Sequence, residues 1–179
     1  RNKHGATALM CAAHHNPEPE VITALLDSGA GLHDRDTDGW TAVMYSAWAN
    51  PGTGGLHALL EAGARLDDGD VKHWTPLMCA LDGNTNPAVI TALLDAGAGT
   101  GDRDCNGWTP LMIALQKATD PEVIATLVKA GARVDDRETR HGATPLIIAA
   151  ERSANPEIIA ALLAAGAGID DQDDHGHTA

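Results

Sequence analysis

The chain has 179 residues, 44% apolar and 21% charged, with 3% aromatic residues and no Phe; this length suits one domain or one solenoid, and the composition excludes a disordered or collagen-like chain. Its 25 acidic residues against 12 basic ones leave a formal charge of −13, which disfavours nucleic acid and anionic membrane surfaces as partners. Three cysteines without a C-x-x-C pair give neither a disulfide framework nor a zinc or redox motif, and the longest uncharged apolar run, the 12 residues 158–169, is short of the ~20 that span a bilayer.

A reducing, cytoplasmic location is therefore expected, and a chain beginning with Arg and lacking a leader-like run is expected to be a fragment. With one Tyr and four Trp, the core must come from Ala, Leu, Ile, Val and Met, which suits thin, closely packed helices.

In chain order, Thr7-Ala8-Leu9-Met10 opens a pattern that returns at Thr41, Thr75, Thr109 and Thr144, at intervals of 34, 34, 34 and 35 residues, and starts again at Thr178. Gly29, Gly63, Gly97, Gly131 and Gly166, each followed by Ala, lie 22 residues after their Thr, so the one inserted residue falls between Gly131 and Thr144. Each Thr, with Pro after it in the later units, reads as an N-cap and first helical position. The first helix of a unit is predicted to run about eight residues, breaking at Gly83-Asn84 in the third unit. A second helix is predicted to begin at Asn86-Pro87, Asp120-Pro121 and Asn155-Pro156 and to carry an apolar stripe such as Val89, Ile90, Leu93 and Leu94. The following Gly supplies the left-handed stop. In the second unit this helix is preceded by Asn50-Pro51-Gly52-Thr53-Gly54-Gly55 and is expected to be the local weak point. Helices this short do not stand alone in water, so each unit must bury its stripe against its neighbours. The repeats are read as 2–35, 36–69, 70–103, 104–138 and 139–173, with a partial sixth at 174–179, in a single domain spanning 1–179.

The Thr-Pro-Leu-x-x-Ala start, the Leu-Leu-x-x-Gly-Ala end and the Asp-x-x-Gly turn before each Thr resemble ankyrin repeats. The resemblance implies an all-α solenoid of helix-turn-helix units with projecting β-hairpin loops, acting as a non-catalytic protein-binding scaffold through a concave groove. Two departures stand out. The signature His is Met at 10, 44, 78 and 112 and Ile at 147, which removes the imidazole that usually hydrogen-bonds there, and the loop between the two helices is one residue longer. The hairpins carry a row of acids, with Arg35, Arg103 and Arg137 placed to neutralise part of it.

Residues 34–39, Asp-Arg-Asp-Thr-Asp-Gly, match the first half of a calcium loop, as residues 102–107 nearly do, but the closing Glu is replaced by Tyr45 and Ile113. A structural hairpin is the better expectation. His4, His14, His15, His175 and His177 show no metal-ligand spacing, and Cys11 and Cys79, at one helical position two repeats apart, are expected on an apolar stripe. With no phosphate loop, nucleophile elbow or paired acid and base, neither an enzyme nor a cofactor or metal is expected.

The strongest functional signal is Trp40, Trp74 and Trp108, each directly before a helix-one Thr. The resemblance turns this position toward the groove, where a rigid aromatic anchors a partner; packing against the next hairpin is the competing structural role. By the same resemblance the groove receives Thr37, Asp38 and Trp48 from the second unit, and Val71, Lys72 and Asp82 from the third. The fourth supplies Cys105, Asn106, Gln116 and Lys117, and the fifth Arg140, His141, Glu151 and Arg152. A protein partner would thus meet an aromatic middle and a basic end. Rival expectations are a regulatory or targeting arm of a larger enzyme, and a module that stacks on itself because Ile147, Ile148, Ile158 and Ile159 read as core in the last unit. A monomer is the expected state.

Overall fold

Each first helix begins directly after the Thr that the sequence places there, although Thr41 and Thr75 make no side-chain cap bond. Thr7, Thr109 and Thr144 accept the amides of Met10, Met112 and Ile147 at 3.3–3.4 Å, and Asn86, Asp120 and Asn155 accept those of Ala88, Glu122 and Glu157 at 2.9–3.0 Å. The computed structural model describes all residues except 17, 85, 118, 119 and 154. Among the described residues there are ten helices and no strands. They are α1 (Ala8–His15), α2 (Pro19–Asp27), α3 (Ala42–Ala49), α4 (Gly54–Glu61), α5 (Pro76–Gly83), α6 (Pro87–Asp95), α7 (Pro110–Gln116), α8 (Pro121–Lys129), α9 (Pro145–Arg152) and α10 (Pro156–Ala164). None of them is long and apolar enough to cross a membrane. The architecture is the all-α ankyrin-type solenoid that the repeat implied, in two compact units: Arg1–Gly99 with α1 to α6, and Thr100–Ala179 with α7 to α10.

In the first unit α1, α3 and α5 stack side by side, with α2 against α4; in the second, α7 packs on α9 and α8 on α10. The odd-numbered helices are the core: in α5, Leu77, Met78, Cys79 and Ala80 are fully buried. The even-numbered helices bury one stripe, such as Val89, Ile90 and Leu93 in α6, and leave the other face in water. Gly29, Gly63, Gly97, Gly131 and Gly166 end these outer helices at φ between 88° and 96°, a conformation that L side chains rarely adopt.

Both departures from the usual repeat have a local solution. Met10 and Met44 are buried, and their Sδ atoms sit 3.3 and 3.4 Å from the amides of Thr7 and Thr41, so a thioether serves as the weak acceptor at the His position. In the lengthened inter-helix loop, Asn50 Nδ2 donates to Ala13 O and Asn16 O at 3.2 and 2.9 Å, and Asn84 Nδ2 repeats the pattern on Ala47 O and Asn50 O at 2.9 Å. These amides satisfy carbonyls at the end of the preceding repeat's first helix.

Cys79 is buried in α5 between neighbours, whereas Cys11 on the terminal helix α1 is exposed, because α1 packs on α3 and has no helix against its other side among the described residues. Ile147, Ile148 and Ile158 are buried within the second unit; the exposed large apolar side chains at that end are Leu163 and Ile169.

Candidate functional site

The turn before α3, α5 and α7 is built on one Asp carboxylate, where the turn before α1 uses the amide oxygen of Asn2. Asp36 Oδ1 accepts the amides of Asp38 and Trp40 at 2.9 and 2.8 Å, Asp70 those of Lys72 and Trp74 at 2.7 and 2.8 Å, and Asp104 those of Asn106 and Trp108 at 2.8 Å. The Asp therefore fixes the direction in which the turn residue and the Trp leave the backbone. Successive turns are bonded, Thr37 N to His4 O and Val71 N to Asp38 O, at 3.0 and 3.1 Å.

The 35-residue unit keeps this device with a longer lever. Glu138 replaces Asp, and its carboxylate accepts from the amides of Arg140, His141 and Ala143 at 2.6, 2.5 and 3.3 Å. Its extra methylene spans the inserted residue. Burial pushes this carboxyl up, but the three amides and nearby His141 outweigh it and hold the pKa below the ordinary Glu value.

The acids of the hairpins are thus structural. Arg35 donates to Gly39 O and Gly69 O at 2.9 and 2.7 Å and pairs with Asp68 at 3.1 Å; Arg103 donates to Gly107 O and Arg137 O and pairs with Asp136 at 2.6 Å. Arg1 and Arg137 do the same with Asp34 and Asp171. Each guanidinium ties one turn to the next, which accounts for the calcium-like spelling of residues 34–39 without an ion.

On this frame the first unit presents a cleft of about 480 Å³ between the turns and the ends of α3 and α5. It gathers Trp40, Trp48 and Trp74 with Asp38, Lys72 and Asp82, all singled out in the sequence. It also contains Tyr45, which the sequence offered only as a failed calcium ligand. The Trp40 ring lies 5.1 Å from Tyr45 and 5.7 Å from Trp48, edge to face. The competing structural role of the column is real for Trp40: it is half-buried, and its Nε1 donates to Asp70 Oδ2 at 3.1 Å. Trp48 is 36% exposed and stacks on His14 of α1, ring centres 5.8 Å apart. Burial, and then neighbouring His15, push the His14 pKa below its ordinary value. Tyr45 donates to Asp36 Oδ2 at 2.6 Å, and burial followed by that bond raises its pKa.

The second unit presents a cleft of about 560 Å³ with different chemistry. Trp108, Asn106 and Gln116 meet Arg140, His141 and Arg152 there, together with Glu138, Glu151 and Asp173. Lys117, the exposed C-cap of α7, lies outside that lining. The sequence reading weighed His175 and His177 only as metal ligands and did not place them or Asp173 in the groove: His175 sits 5.6 Å from His141 and 5.9 Å from His177, whose Nδ1 is 3.2 Å from Asp173. The spacing signal was present, since Asp173 repeats Asp36, Asp70 and Asp104 at the start of the partial sixth unit.

A family model described as ankyrin repeats in three copies matches residues 1–70 and 52–138, and one described as ankyrin repeat matches residues 141–174. A search of curated proteins finds no match. Proteins of this kind are generally protein-protein interaction modules and typically non-catalytic. With its matched residues, its paired short helices and its carboxylate-anchored turns, the chain belongs to the ankyrin-repeat family.

Proposed function

We propose that the chain is a non-catalytic scaffold of five repeats plus the start of a sixth, one domain over 1–179, that binds a protein partner through the clefts between its turns and first helices. The observation that carries this is the exposed aromatic cleft of the first unit. Trp48 and Val71 remain 36% and 67% exposed on backbone that is hydrogen-bonded at each turn, and rigid aromatics on a fixed frame bind at low entropic cost. In the second unit, Asn106, Gln116, Arg140, His141 and Arg152, with Lys117 next to Gln116 in the chain, form a binding surface of their own. The three unpaired cysteines favour a reducing compartment such as the cytoplasm, and the burial of Ile147, Ile148 and Ile158 favours a monomer over self-stacking.

A photo-crosslinking residue at position 48 tests this, with the same residue at exposed Glu61 and Lys129 on the outer helices as controls. A defined protein adduct from position 48, absent from both controls, is the expected result. Equal labelling from all three positions overturns the assignment.

A further inference from the structure

The first-unit cleft is more selective than a general apolar groove. Its lining includes four aromatic rings, Trp40, Tyr45, Trp48 and Trp74, with Trp40 at 88° to Trp48. Ring faces carry negative electrostatic potential and attract cations. The rim adds Asp38, exposed on its turn, and Asp70; Lys72 and Asp82 also line it. Asp70 is committed to Trp40 and two amides, yet its charge stays in the site.

These features discriminate among occupants. An anionic side chain meets three carboxylates. A purely apolar one strips water from exposed Asp38 without compensation. A cation on an apolar stem satisfies both: the stem lies along Val71 and the rings, and the head sits over an indole beside Asp38. We propose that this cleft takes an arginine or lysine side chain from a basic segment of a protein partner. The inference rests on the partner-binding reading and adds the chemistry of the anchor. It is confined to the first unit: the other cleft holds one indole, Trp108, and sets Arg140 and Arg152 among Glu138, Glu151 and Asp173.

Neutral Gly/Ser peptides carrying one central arginine, lysine, citrulline or norleucine, titrated into the full chain and followed by NMR of the indole N–H signals, test it. The charged peptides should shift the Trp48 signal and saturate about tenfold more tightly than their uncharged counterparts. Trp48→Ala and the exposed D38N should both weaken the charged peptides and leave the neutral ones unchanged; D38N keeps the test open if Trp48→Ala misfolds. Equal affinity for arginine and citrulline, charged-peptide binding that leaves Trp48 unmoved, or no saturation by any peptide overturns the inference. A partner crosslinked at position 48 that shows no preference for charge overturns it while the partner-binding reading stands. Charge-selective peptides with no crosslinked partner support the cleft chemistry and count against that reading.

Discussion

The indole of Trp40 donates to the carboxylate of Asp70 at 3.1 Å, and Asp70 in turn holds the amides of Lys72 and Trp74. A ring at the mouth of one turn thereby braces the next turn, 30 residues on. Trp40→Phe keeps most of the ring's apolar contact and removes only the donor. It should lower the unfolding free energy by about 1 kcal/mol, the range for a partly exposed hydrogen bond to a charged group, as read from the denaturant midpoint. No change in midpoint would show that the contact is absent in solution.

Trp48 lies directly on Gly83 at the end of α5. A Cβ at position 83 would collide with the indole Cδ1 and Nε1 and would come within 2.8 Å of the Trp48 carbonyl oxygen, which cannot swing aside. Gly83→Ala should therefore destabilise by about 1–3 kcal/mol, as overpacking does, despite the better helix propensity of Ala. The indole should also leave His14, seen as a shift in Trp emission. A stabilised variant with unchanged emission would contradict the packing.

Ser46 sits mid-helix in α3 with its Oγ fully buried and without a hydrogen-bond partner. The equivalent positions are Ala12, Ala80, Ala114 and Ala149. Ser46→Ala removes the unpaired hydroxyl from its apolar surroundings and should stabilise by about 1 kcal/mol. A loss of stability in thermal or denaturant melts would mean that the hydroxyl has found a partner.

What could be read in advance follows the range of the interaction. Thr caps, Asn-Pro and Asp-Pro starts and Gly stops act within four residues, so Thr7, Asn86 and Gly97 announced themselves. The bonds from Asn50 to Ala13 and Asn16, the seat of Trp48 on Gly83 and the stack of His14 on Trp48 join residues about one repeat apart. Only the relative placement of neighbouring helices creates them. Cys11 and Cys79 share a repeat position yet differ in burial for the same reason: burial comes from flanking helices, and among the described residues α1 has no helix on the side away from α3. Tyr45 escaped because its repeat equivalents, Cys79, Ile113 and Ile148, are core residues, and only its hydroxyl on Asp36 turns it toward the cleft.

The outer helix of the second repeat remains the expected weak point. α4 starts with two glycines after Thr53, which has helical backbone angles and makes no side-chain cap bond. Amide exchange should be faster at residues 54–61 than in α6 or α8. A Cβ on buried Gly55 would meet Ile22 Cγ1 at an ordinary 3.6 Å, so Gly55→Ala should fit and stabilise by about 1 kcal/mol. Slow exchange in α4, or a destabilised G55A, would show that packing against α2 already fixes this helix.

Glu138 gives the fold an acid-sensitive joint. Its pKa is held below the ordinary Glu value in the folded chain, so the charged carboxylate binds the native turn better than the protonated acid does. A depressed native pKa contributes stability that is fully present above the unfolded value, about 4.3, and drains away as the pH falls through the native value. The three amide bonds are the source, and a neutral amide side chain cannot titrate. Glu138→Gln should therefore lower stability at pH 7, where the charge-assisted bonds are lost, and make the unfolding free energy less steep with pH below about 4.5. Comparing denaturant midpoints of the two proteins from pH 7 to 3 checks both parts. Parallel curves over that whole range would mean that Glu138 titrates as it does in the unfolded chain, and that the longer lever in the inserted turn is held by its backbone alone.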